Sequence, residues 1–195
     1  VLATAISPMV NVTANSCIFR NVQIIQESSS ASSLICLQVT GERNVFENCH
    51  IAGIANVTQS AAGSCSLKIA AGAENVFRGC TIGVDTIARD ADATEILFDT
   101  DATRNVFEDC YITSYISAAG FASVTLADNT AIDRYVIFKR CLFSTDSTNK
   151  AVTQDQVFSI PASIAQGKII LIDSYYNTDG ATGAGVWTTT GRGNI

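Results

Sequence analysis

Four aspartates crowd the middle of the chain: Asp90, Asp92, Asp99 and Asp101. Carboxylates two positions apart share one face of a strand. Such a pair can hold Ca²⁺ through oxygen ligands or divide general acid and base work. Solvated loop carboxylates account for the same residues without any chemistry, and that is the default reading. Seven cysteines, at 17, 36, 49, 65, 80, 110 and 141, are the other reactive set. An odd count without short, even spacings does not describe a disulfide scaffold. Zinc asks for CxxC-like pairs or Cys/His clusters, and His50 is the one histidine. The cysteines therefore read as buried free thiols acting as small hydrophobes. Reduced thiols point to assembly inside a cell. No Ser-His-Asp set and no phosphate loop is present, so no catalytic residue, cofactor or metal site is assigned.

Four of those cysteines belong to a repeated phrase, which sets the frame for everything else. It reads Val45-Phe46-Glu47-Asn48-Cys49-His50-Ile51 and returns at 76–82 and 106–112. Weaker copies begin at Ile18, Ile137 and Ile170. The second residues fall at 19, 46, 77, 107, 138 and 171, giving spacings of 27, 31, 30, 31 and 33. A near-constant period of this size marks a repeat architecture.

Each copy contains a break in strand parity. Cys49 and Ile51 are two apart and share a face, whereas Phe46 is three before Cys49. A one-residue corner resolves the conflict. The corner residue is Asn21, Asn48, Gly79, Asp109, Arg140 and Asp173 in turn. Five of these six are Asn, Asp or Gly, which tolerate positive φ. The phrase is thus two short strands with Phe, Cys and Ile all facing inward. A further strand precedes each copy, clearest at Ser33–Val39, Cys65–Ile69, Glu95–Phe98, Ser123–Leu126 and Gln156–Ile160. Asn44, Asn75 and Asn105 hold one place in the polar turn between that strand and the phrase. The expected fold is all-β: a single-stranded parallel β-helix over residues 1–176, with about six rungs of roughly 30 residues and three short strands per rung. Residues 177–195, Gly-rich, form a C-terminal tail or cap, with Val186-Trp187 available as a last strand over the open end.

Stacked rungs bring equivalent residues together. The outward third position reads Arg20, Glu47, Arg78, Glu108, Lys139, alternating in sign at every step. Alternation of this kind favours in-register stacking and opposes slippage. The outward sixth position reads Gln23, His50, Thr81, Tyr111, Leu142, Tyr175 and turns apolar towards the C-terminus. A contiguous apolar stripe marks a contact surface, so Tyr111, Leu142 and Tyr175 are candidates for a subunit interface, unless a loop of the same chain covers them. Trp187 is a fourth candidate, through a tail that caps the end or reaches a neighbouring chain.

Bulk properties bound the partners. The net charge of −6 and pI near 4.6 argue against nucleic acid, whose binding needs a basic face. No run of about 20 apolar residues exists to cross a membrane. No basic-then-apolar leader is expected.

The Asn-x-Phe-x-x-Cys-x-Ile rungs resemble right-handed parallel β-helix repeats of the pectate-lyase-like fold. They look most like the short, regular rungs of tailed-phage virion proteins, both tailspikes and capsid-associated proteins. Right-handed winding is what the resemblance implies. So is a place in the virion after assembly in the host cytoplasm. It further implies a homo-oligomer, expected as a trimer, bound to other virion proteins such as the major capsid protein. The leading expectation is a non-enzymatic capsid decoration or capsid-associated protein. The alternative is a tailspike-type fragment that binds or depolymerises glycan. Asn177-Thr178-Asp179-Gly180 is similar to the Asn-Thr-Asp motif of polygalacturonases, which would make Asp179 one of the acids at a glycosidic bond. The companion Asp-Asp, Gly-His-Gly and Arg-x-Lys motifs are missing from the 15 residues that follow Gly180. Lyases of this fold also use an Arg or Lys as base beside an acidic patch, and Arg89 and Arg104 are in range by sequence.

Overall fold

The computed structural model describes residues 6–28, 33–56, 61–90, 93–148, 154, 156–161 and 167–178. β1 (Val10–Val12), β2 (Ile18–Arg20) and β3 (Gln23–Gln26) make the first rung. β4 (Ile35–Val39), β5 (Val45–Glu47) and β6 (His50–Ile54) make the second. β7 (Cys65–Ala70), β8 (Val76–Arg78) and β9 (Thr81–Ile82) follow, with the short β10 (Ala88–Arg89) after them. β11 (Thr94–Asp99), β12 (Asn105–Glu108) and β13 (Tyr111–Ile116) are the fourth rung, and β14 (Ala122–Leu126), β15 (Val136–Lys139) and β16 (Leu142–Ser147) the fifth. β17 (Phe158–Ser159), β18 (Ile169–Ile172) and β19 (Tyr175–Thr178) close the series.

These strands form three parallel sheets. One runs β1-β4-β7-β11-β14-β17, the second β2-β5-β8-β12-β15-β18 and the third β3-β6-β9-β13-β16-β19, with β10 paired to β13 beside it. Six successive strands along each stack enclose five intervals, so the chain makes about five turns of an all-β solenoid. No helix occurs among the described residues. The arrangement is consistent with right-handed winding, the rule for parallel crossovers.

The corner expected from the parity break is present in every copy. Asn21, Asn48, Gly79, Asp109, Arg140 and Asp173 have φ of 54°, 51°, 59°, 54°, 52° and 48°. Arg140 accepts this strained region although it is neither Asn, Asp nor Gly; its guanidinium is held by Asp109 at 2.7 Å and Glu108 at 2.9 Å. Inside, Phe19, Phe46, Phe77, Phe107 and Phe138 stack face to face with centroids 4.7–4.8 Å apart. Ile51, Ile82, Ile112 and Phe143 form the next column, all buried. The asparagine column is also built as a ladder. Asn75 Oδ1 accepts the Asn44 N–H at 2.9 Å, and Asn105 Oδ1 accepts the Asn75 N–H at 3.0 Å. Their amides donate backwards, Asn75 to Gly41 O at 3.1 Å and Asn105 to Gly72 O at 2.9 Å. Gly41 and Gly72 carry no side chain for a spatial reason: a Cβ would collide with Ala14 O at the first and press on Val39 O, 3.0 Å away, at the second.

The outer charge column pairs as the alternation implies. Arg20 meets Glu47 at 2.5 Å, Arg78 meets Glu47 and Glu108 at 3.2 Å each, and Lys139 meets Glu108 at 3.1 Å. Exposed pairs contribute about 0–1 kcal/mol each, so register is their main product. Some boundaries moved. The strand expected at 156–160 narrows to Phe158–Ser159, and the last strand runs to Thr178, two residues beyond the expected helix boundary at 176.

Candidate functional site

The third sheet places Tyr111, Leu142 and Tyr175 directly over one another on β13, β16 and β19. Their inward neighbours Ile112 and Phe143 are fully buried, so the three side chains must point outward. They are 37%, 39% and 69% exposed. Ile172, 39% exposed, ends the neighbouring charge column on the adjacent sheet. Towards the N-terminus the column turns polar through Thr81, His50 and Gln23. His50 is engaged there: Nδ1 lies 3.2 Å from Gln23 Nε2, and Nε2 lies 3.3 Å from Gly83 O. Trp187, the fourth interface candidate, and the Val186-Trp187 strand lie outside the described residues.

The aspartates have separate places. Asp99, at the end of β11, pairs with Lys68 at 2.7 Å, and that ammonium holds its carboxyl below the usual range. Asp101 sits exposed in the following turn at φ 52°. Asp90 is half-buried after β10, on the loop side of the third sheet. Asp92 and Asp179 lie outside the described residues. Arg104 pairs with Glu74 at 2.6 Å on the outer face. Among the described residues, no group of three or more His, Cys, Asp or Glu side chains is placed to hold one metal ion.

Arg89 is the unexpected residue. It is 1% exposed, and its Nε lies 3.5 Å from Oε1 of Glu95, itself fully buried. Burial pushes the Glu95 carboxyl above its usual range, against the pull of Arg89 and of Ser66, whose hydroxyl donates to Oε2. Among the described residues, Arg89 Nη1 and Nη2 have no hydrogen-bond partner, nor does the hydroxyl of Thr113. Gly83, at φ 96°, borders the carboxyl so closely that a Cβ would lie 2.7 Å from Glu95 Cδ. Ala93, Ile116 and Phe121 form a small second core beside the main one. The pair is sealed into the protein and offers no surface chemistry. A second charge column was equally unforeseen: Arg43 and Arg104 both pair with Glu74, at 3.5 and 2.6 Å. Its signal was in plain sight, since these residues immediately precede Asn44, Asn75 and Asn105.

The cysteines are free thiols, six of them buried. Burial pushes Cys36 up to about 12 and raises Cys65 as well. Cys110 is raised by the neighbouring thiols of Cys141 and Cys80 and by burial. At the N-terminal end the first rung leaves an apolar hollow of about 360 Å³ lined by Val12, Phe19, Ile24 and Leu37.

Fold and surface together define the class: a three-sheet parallel β-solenoid with an exposed apolar column near one end. No protein-family profile, curated protein or solved structure matches the chain.

Proposed function

We propose that this chain is a non-enzymatic structural protein of a tailed-phage virion. In this reading it is a capsid decoration or capsid-associated protein, acts as a homotrimer and binds the major capsid protein. One observation carries the reading: Tyr111, Leu142 and Tyr175 form a contiguous exposed column on a rigid sheet. Tyrosines are among the side chains that contribute most when they are desolvated at the centre of an interface. The adjoining outward charges already neutralise one another rung by rung, so the apolar column is what contact would bury. A regular solenoid supplies the stiffness such a surface needs.

Sedimentation of the wild-type chain and of Tyr175→Asp tests the interface. The wild type is expected to sediment at three times its 20.6 kDa and the variant at one chain mass with an unchanged circular dichroism spectrum. A wild type that stays at one chain mass and does not associate with particles overturns the proposal. A second reading rests on a specific spacing. Tyr111 and Tyr175 lie two rungs apart, about 9.6 Å, and could stack on successive sugars of a glycan, as in the tailspike-type alternative. Saturable binding of an oligosaccharide, lost in Tyr175→Ala, would favour it.

A further inference from the structure

Cys49, Cys80, Cys110 and Cys141 occupy one column on successive rungs, continued by Val22 before them and Ser174 after them. Their backbones are paired across rungs. The Thr81, Tyr111 and Leu142 N–H groups donate to the carbonyls of Cys49, Cys80 and Cys110 at 3.0, 2.9 and 2.9 Å. Their thiols share one direction, each lying within reach of two carbonyls, that of the residue two before it and that of the phenylalanine of the preceding rung. Cys49 reaches Phe19 O at 3.5 Å, Cys80 reaches Phe46 O at 3.4 Å, Cys110 reaches Phe77 O at 3.3 Å and Cys141 reaches Phe107 O at 3.5 Å. The Ser174 hydroxyl repeats the contact to Phe138 O at 3.1 Å. One rung translation therefore superimposes each thiol on the next. The phenylalanine stack beside them fixes that translation at 4.7–4.8 Å. All four thiols are 1–2% exposed.

Two chemistries compete for neighbouring thiols. A disulfide needs Cβ atoms about 3.5–4.5 Å apart, whereas in-register parallel positions hold them at the rung translation, which is longer. Two thiolate–metal bonds of about 2.3 Å placed end to end span about 4.6 Å, within a few tenths of the translation. We propose that adjacent thiols of this column bind soft, two-coordinate divalent metal ions of the Hg²⁺ type, one between Cys49 and Cys80 and one between Cys110 and Cys141. On binding, two S–H bonds break, two metal–sulfur bonds form, and two protons leave to solvent. A divalent ion with two thiolates carries no net charge and suits a dry column; a monovalent ion would leave one buried negative charge, which is costly. Ions that require three or more ligands find no such set among the described residues. Soft metals are those that thiolates select.

The test uses the full chain with Cys17→Ser, Cys36→Val and Cys65→Ser, which removes the cysteines outside the column. The probe is HgCl₂, followed by native mass spectrometry and X-ray absorption. The expected result is two mercury ions per folded chain, four protons released, and two sulfurs about 2.3 Å from each ion. Two further variants hold two thiols each and differ only in adjacency. Cys110→Val with Cys141→Val retains neighbours Cys49 and Cys80. Cys80→Val with Cys141→Val retains Cys49 and Cys110, two rungs apart. The column's own Val22 and Ser174 show which replacements it accommodates, and serine versions serve if a valine version does not fold. The adjacent pair is expected to bind mercury about 10²-fold or more tightly than the separated pair, the gain from a tethered second ligand. Equal affinity in the two variants overturns the proposal. So does failure of the folded adjacent pair to take up mercury, or its ready closure to a disulfide by diamide.

Discussion

Asn75→Ala probes the ladder on which the solenoid's register rests. Asn75 is fully buried, and its side chain serves two backbone groups besides the Asn105 side chain. Its Oδ1 accepts the Asn44 N–H at 2.9 Å, and its Nδ2 donates to Gly41 O at 3.1 Å. The alanine variant keeps its own backbone N–H bond to Asn105 Oδ1, so two backbone groups are orphaned. Each buried orphan costs about 1–3 kcal/mol, giving a loss of about 2–6 kcal/mol. A chain of this size shifts its Tm by about 2–4 °C per kcal/mol, so the shift should be at least about 4 °C. Urea unfolding at unchanged m-value measures the stability directly. Amide hydrogen exchange adds a local readout, since the Asn44 N–H should lose protection while the phenylalanine core keeps it. Asn75→Asp should be worse than alanine, because an acceptor would then face Gly41 O and a charge would be buried. A stability change below about 0.5 kcal/mol in Asn75→Ala, within the range of ordinary surface substitutions, would mean that the ladder does not hold these backbone groups.

Glu108 is held down to about 2 from an ordinary 4.5, first by Lys139 and then by Arg140 and Arg78. Its folded value lies below its unfolded one, so its contribution is present above pH 4.5 and is lost as pH falls towards 2. The stability gap between wild type and Glu108→Gln should therefore be constant above pH 4.5 and close as pH falls towards 2. Arg89→Met leaves Glu95 buried without its cation and should cost about 3–5 kcal/mol, whereas Arg89→Met with Glu95→Leu should recover most of the loss. The Glu95 carboxyl is raised above 4.5, so in Arg89→Met stability should fall as pH rises past 4.5, because the unfolded state ionises first. Asn48→Val places a β-branched residue at φ 51° and should cost about 1–2 kcal/mol, while Asn48→Gly should be nearly neutral by the same denaturant measurement.

Sequence carried the main solenoid because its constraint repeats. A parity break between Phe46 and Cys49 can be met only by a corner, and six copies of it left little freedom. The stacked phenylalanines and the pairing of Arg20, Glu47, Arg78, Glu108 and Lys139 followed from register alone. The Arg89–Glu95 pair was not legible for the opposite reason. Strand parity groups Glu95 with the half-buried Leu97 and away from the core residues Ile96 and Phe98. It is buried because β13 extends to Ile116 and because Ala93 and Phe121 form a second core nearby. Single loops build that environment, and no repeat announces it. The surface column lies between these cases. Tyr111, Leu142 and Tyr175 were readable as outward-facing, but whether a loop covered them depended on tertiary structure.

In the proposed role this solenoid is a building block of a particle, held there through its apolar column. The copy number of the chain in purified virions, measured by quantitative mass spectrometry against the major capsid protein, tests it most directly. The expected result is a fixed ratio corresponding to hundreds of copies per head, reduced sharply in virions carrying Tyr175→Asp. Absence of the chain from purified virions, or a few to a few dozen copies at the tail, would contradict it.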